Sequence, residues 1–180
     1  MKIIAFSGYK QSGKSECAKC LIEHGYRRMS FADTLKEMLL LMGIERECLY
    51  GSRKEEVIPW LGVTGRHCMQ TIGTEWGREL INDDVWVKVM ERRLKETPNS
   101  IAVVFDDCRF ENEVQLIRSL GGVIVRVTRP VSFWTKLWRF LTRYVRHKSE
   151  QLPAYDREIT NDGTIEDLRV KALVIARGES

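Results

Sequence analysis

The sequence predicts an α/β fold built on a central parallel sheet flanked by helices. Three observations carry that prediction. Short apolar, β-branched runs alternate with stretches of helical periodicity. The run Ile101-Ala102-Val103-Val104-Phe105 is apolar throughout, as a strand covered on both faces must be. The first apolar run passes through a glycine-rich turn directly into a helical pattern.

The elements follow in order. Residues 2–7 read as a buried strand and Gly8 to Ser12 as a loop. Glu16 to Glu23 carries Cys17, Cys20 and Leu21 at helical spacing, and Gly25 stops it. Tyr26 to Ser30 is a second strand. Asp33 opens a helix through Leu35, Met38, Leu39 and Met42 that Gly43 closes. Residues 44–64 read as irregular connection. Thr64 to Ile72 is helical, with a break expected at Gly73-Thr74. Asp83-Asp84 caps a helix from Val85 to Lys95. After the Ile101–Phe105 strand come a helix from Glu111 to Leu120, a strand from Val123 to Thr128, a turn-rich stretch from Gln151 to Gly163, and a helix from Thr164 to Ala176. At 180 residues the chain is expected to form a single domain.

Composition narrows the class. Hydrophobic residues make up 43% and charged residues 30%, which excludes disordered and fibrous chains. Five cysteines, an odd number at modest density, argue for a reducing compartment. The start lacks the apolar length of a signal peptide, and no run of 18 apolar residues is present, so a cytoplasmic protein without a membrane segment is expected. Charge is uneven. Arg126 to Ser149 holds seven bases and no acid; removing those seven leaves 22 bases against 25 acids, so a net +4 becomes −3. A local basic patch points to a phosphate-bearing ligand, a nucleotide or a nucleic acid.

The most specific motif is Gly8-Tyr9-Lys10-Gln11-Ser12-Gly13-Lys14-Ser15, a full G-x-x-x-x-G-K-[ST] between a strand and a helix. Its glycines let backbone N–H groups of Gly8, Lys10, Ser12 and Gly13 curl around phosphate. Lys14 is placed to reach the β- and γ-phosphates and the Ser15 hydroxyl to ligate Mg²⁺. Asp106 and Asp107 close the central strand, where α/β folds bind ligands, and are candidates for the same metal. Asp33 either caps its helix or accepts a hydrogen bond from a substrate hydroxyl.

Lys136, Arg139, Arg143 and Arg146 fall on one helical face, opposite Trp134, Leu137, Trp138 and Leu141. Four roles fit this pattern: a lid over a transferring phosphoryl group, a nucleic-acid groove, a membrane-surface helix, or a solvated basic face. Cys17-x-x-Cys20 has no second ligand pair and reads as buried helix thiols.

These residues resemble the deoxynucleoside monophosphate kinases of tailed bacteriophages. The likeness covers most of the chain: the phosphate loop; Phe31-Ala32-Asp33-x-Leu35-Lys36; Gln70-x-x-Gly73-Thr74-Glu75-Trp76-x-Arg78 with Asp84-x-Trp86; Asp106-Asp107-x-Arg109-Phe110-x-Asn112-Glu113; Gly121-Gly122; Arg129-Pro130; His147-x-Ser149-Glu150; and Asn161-Asp162-Gly163-Thr164. The resemblance implies a P-loop kinase fold with a basic helical lid at about 130–150, and ATP and Mg²⁺ as cofactors. It implies that Asp33, Lys36, Arg66, Trp76, Arg78, Glu113 and His147 face the acceptor. It further implies that Asp106, Asp107 and Arg109 organise metal and phosphates, with Arg139 and Arg143 contributed by the lid. The acceptor is then a deoxynucleotide, with a homodimer possible. Related phage kinases act instead on 5-hydroxymethylpyrimidines within DNA, and the basic, tryptophan-rich stretch suits that alternative. A nucleotide-dependent nucleic-acid binding module without kinase activity is the expectation from another class.

Overall fold

The computed structural model describes residues 1–9, 11–130 and 153–178. These fall into two compact units, one from Met1–Ser30 together with the chain from Thr97 onward, the other Phe31–Glu96.

The first unit is the parallel sheet. Its strands are β1 (Ile3–Ser7), β2 (Arg27–Met29), β3 (Val103–Phe105), β4 (Val123–Thr128) and β5 (Arg157–Thr160), in the order β2-β3-β1-β4-β5, and every pairing is parallel. Its helices are α1 (Lys14–Glu23), α6 (Glu111–Ser119) and α7 (Ile165–Arg177). β1 lies at the centre, paired through Ile4 with both Val104 and Val123, and all five of its residues are buried. That burial is why its first four residues, Ile3 to Phe6, are all apolar. One face of the sheet gives Ile4, Phe6, Val104, Val125 and Val127 to a core closed by Cys17 and Leu21 of α1 and Leu168 and Ala172 of α7. Arg169 of α7 ties the two helices together by pairing with Glu16 and Glu23.

β5 lies inside the stretch the sequence marks only as turn-rich. Its four residues, Arg-Glu-Ile-Thr, bury Ile159 alone, too short a pattern to register as a strand. It sits at the sheet's edge, so three polar side chains out of four are tolerated.

The second unit holds α2 (Asp33–Leu41), α3 (Arg46–Leu49), a 3₁₀ turn at Ser52–Glu55, α4 (Gly65–Gln70), a π-helix at Thr71–Ile81 and α5 (Val85–Lys95). Leu35, Leu39, Ile44, Cys48, Leu49, Ile58 and Trp86 form its core. Two expectations change here. The stretch 44–64 contains a short helix and a 3₁₀ turn rather than irregular chain alone. The helix that was to break at Gly73 instead continues for 11 residues as a π-helix. Trp86 explains why. Its indole Nε1 donates to the Gly73 carbonyl at 2.7 Å, and a Cβ on Gly77 would lie 2.7 Å from its ring. The wider π turn takes in the ring, and the two glycines are where the backbone meets it.

Candidate functional site

The phosphate loop forms where β1 ends. Gly8 has φ +145° and Gly13 φ +114°, and Gln11, at φ +65°, is the one non-glycine at positive φ among the described residues. A Cβ on Gly8 would lie 2.3 Å from the Val127 carbonyl oxygen, so both conformation and space demand glycine there. Gly13 occupies the N-cap position of α1, whose first turn carries Lys14, Ser15 and Glu16. Lys10 lies outside the described residues.

Lys14 folds back over the loop. Its Nζ donates to the carbonyls of Gly8 at 2.7 Å and Tyr9 at 2.6 Å. Burial lowers its pKa from 10.5 to about 8, Arg109 pushes in the same direction, and Asp106 opposes them. An arriving phosphate would favour the ammonium and raise that pKa again. The Ser12 hydroxyl is buried without a hydrogen-bond partner among the described residues, 2.9 Å from where a Cβ on Gly8 would sit.

Beside the loop is a cavity of about 370 Å³. Gln11, Gly13, Lys14, Arg129, Asn161 and Gly163 contribute to its wall. Arg129, Asn161 and Gly163 sit in motifs that the sequence presents but to which no role was given. Only the pairing of β4 with β5 brings their loops to α1, and β5 itself is nearly silent in sequence.

The acidic strand end is held by β2. Asp106 accepts from Arg28 at both oxygens, 3.0 and 3.2 Å. Asp107 accepts from the Ser30 hydroxyl at 2.5 Å. Arg28 and Ser30 carried no signal in sequence, because their role depends on β2 pairing with β3. Glu113 lies in the first turn of α6. It is only 3% exposed, and its Oε2 accepts from the backbone N–H groups of Arg109 at 2.7 Å and Phe110 at 3.1 Å. It shapes the turn before α6, which is the work of a carboxylate at a helix start.

The second unit carries the other candidates. Asp33 is the first residue of α2, and Ala32 holds the N-cap position, so Asp33 lends charge to the first turn and does not cap it. The Lys36 Nζ lies 4.5 Å from the centre of the Tyr50 ring. The Arg66 Nε donates to Glu55 at 2.6 Å. Arg78 is buried in the π-helix and donates from Nη1 to the Asp83 carbonyl at 2.7 Å. Trp76, two residues earlier, is 40% exposed. Arg139, Arg143 and His147, with the rest of the basic stretch beyond Pro130, lie outside the described residues.

Cys17 and Cys20 are free and buried, as the sequence predicted, with the Cys17 thiol pushed up to about 12 by burial. Among the described residues no three His, Cys, Asp or Glu side chains gather as a metal site, and no helix is long and apolar enough to cross a membrane.

A model of the deoxynucleotide monophosphate kinase family matches residues 59–172. The chain belongs to that family. The match begins well after the phosphate loop, so motif and family are independent findings. A protein of Acanthamoeba polyphaga mimivirus described as a deoxynucleotide monophosphate kinase is 29% identical, over 93% of this chain and 92% of its own. The deoxynucleoside-5′-monophosphate kinase of Escherichia phage T5 is 33% identical over 70 residues, 39% of this chain and 28% of that kinase. Among solved structures, the dephospho-CoA kinase of Campylobacter jejuni aligns over 98% of this chain and 97% of its own, with TM-score 0.49 and 14% identity. Membership of a kinase family implies an ATP-type phosphate donor for this chain.

Proposed function

We propose that the protein transfers the γ-phosphoryl group of ATP to a deoxynucleoside 5′-monophosphate. The observation that carries this proposal is the phosphate loop, with its positive-φ glycines and folded-back lysine, in a chain of a deoxynucleotide kinase family. Catalysis is then positioning and charge neutralisation. Backbone N–H groups of the loop and the N-terminus of α1 hold the donor phosphates. Lys14 leaves the Gly8 and Tyr9 carbonyls for the β- and γ-phosphates, where its ammonium meets opposite charge. Arg109, close enough to Lys14 to lower its pKa, supplies a second positive charge. Asp33, Lys36, Arg66, Trp76 and Arg78 belong to the acceptor side.

Mg²⁺ fits this site as a companion of the nucleotide. Described carboxylates do not gather into a cage, and Mg²⁺ commonly binds through substrate phosphates, waters and only one or two carboxylates. The Ser15 hydroxyl and the Asp106–Asp107 pair are the groups that would hold it. Arg28 holds Asp106 through both of its oxygens, and Ser30 donates to Asp107.

The test is an acceptor screen with γ-labelled ATP and Mg²⁺. One arm holds each deoxynucleoside monophosphate and the other holds DNA with and without 5-hydroxymethyluracil. Label on a free nucleotide is the expected result. Label on the DNA alone, or ADP formation with no phosphorylated acceptor, would overturn the proposal.

A further inference from the structure

The loop after β5 does more than line the cavity. The Asn161 side-chain amide donates from Nδ2 to the Ser12 carbonyl at 2.9 Å, across 149 positions of sequence. The same nitrogen lies 2.8 Å from where a Cβ on Gly13 would sit. Gly13 is thus glycine for its backbone angle and also because Asn161 occupies the space beside it.

A peptide bond is planar and trans, so its C=O and N–H point in opposite directions. The Ser12 carbonyl and the Gly13 N–H share one peptide. Holding that carbonyl out toward Asn161 directs the Gly13 N–H the other way, into the loop. This peptide needs holding. It ends at Gly13, whose φ of +114° comes at no side-chain cost, and it lies one residue past Gln11 at positive φ. Without an external partner it would flip easily and lose a phosphate donor.

Asn161 is itself rigidly mounted. Its backbone N–H donates to Thr128 at 2.7 Å. Lys171 holds the residues on either side, donating to the Thr160 carbonyl at 2.8 Å and the Asp162 carboxylate at 2.7 Å. Thr164 and Asp167 then close a reciprocal cap on α7, 2.9 and 3.2 Å. A group so supported can set the geometry of a neighbour.

We infer that Asn161 is a positioning residue: through the Ser12 carbonyl it aims the Gly13 N–H at the donor's phosphate chain. The inference rests on the phosphate-donor site of the proposed function but not on the acceptor. It assigns Asn161 to the phosphates, not to the base or sugar.

Two variants of the full chain test it, Asn161→Ser, too short to reach Ser12, and Asn161→Asp, which reaches but presents a carboxylate in place of the donor. Their Kd values for tripolyphosphate, ADP and adenosine are measured by calorimetry, with the folded fraction followed by circular dichroism. Leaving a buried carbonyl unpaired should weaken tripolyphosphate and ADP by about tenfold in Asn161→Ser. The added charge should make the loss about a hundredfold in Asn161→Asp, with adenosine within about twofold of wild type in both. Unchanged tripolyphosphate binding overturns the inference. So does lost adenosine binding with tripolyphosphate retained, which would make Asn161 a base or sugar contact. A loss that only tracks the unfolded fraction overturns it as well. A wild-type chain that binds neither tripolyphosphate nor ADP overturns both this inference and the donor site. Phosphate binding that depends on Asn161, in a chain that phosphorylates no deoxynucleotide, upholds the inference and overturns the proposed function alone.

Discussion

Two glycine-punctuated turns of this protein use their glycines for opposite ends. In Gly8–Ser15 they let the backbone curl so that its polar groups stay available to a ligand, and the charged Lys14 lies folded across them. In Thr71–Ile81 they let the backbone close on an indole, and Trp86 consumes the Gly73 carbonyl. One segment holds its polar groups ready and the other spends them on stability. A glycine pattern therefore acquires meaning only from what enters the space it leaves.

Each half of that comparison can be broken. The largest effect is expected from Lys14→Ala. Losing the charge at the transferring phosphate should cost about 10³-fold in turnover. The nucleotide-free chain should melt no lower than wild type, since a desolvated ammonium is removed. A variant that keeps full turnover would remove the phosphate loop from the chemistry.

Trp86→Ala should do the reverse, costing about 3–5 kcal/mol of stability by denaturant unfolding. Marginal stability would leave the second unit's core vulnerable. A cost near zero would mean that the indole does not hold the π-helix.

A smaller effect follows from pH. Lys14 has a folded pKa of about 8 against 10.5 when unfolded. Between those values the unfolded chain holds the extra proton, so the nucleotide-free protein gains stability from pH 8 to 10.5, while below pH 8 the cost of the buried ammonium is constant and this group adds no pH dependence. ADP binding needs the ammonium, so its affinity should be full below pH 8 and about tenfold weaker one unit above. Isothermal titration across that range measures it, and Lys14→Ala should abolish the dependence.

The smallest change is Trp86→Phe, which keeps the ring's bulk and removes the Nε1 donor to Gly73. Its expected cost is about 1 kcal/mol, and the melting temperature should fall by a few degrees. A cost equal to that of the alanine variant would assign the π-helix to the hydrogen bond rather than to packing.

Much of this protein is determined by local sequence. β1, α1, α2, α5, α6 and β4 are legible because each carries a periodic or unbroken apolar pattern bounded by glycine, aspartate or proline. The phosphate loop is legible because its chemistry needs consecutive backbone groups, which places every requirement within eight residues. What sequence could not show depends on partners far along the chain. β5 exists because β4 offers an edge, not because four polar-rich residues prefer to be extended. The π-helix continues past Gly73 because an indole 13 residues later fills the widened turn. Glu113 turns inward because two backbone N–H groups need an acceptor at the start of α6. Arg28 and Ser30 gain their roles only when β2 sets them beside Asp106 and Asp107. Asn161 reaches Ser12 only when the sheet is assembled. Local preference acts over a few bonds, whereas a hydrogen bond between distant residues forms only once packing has offset the entropy of bringing them together.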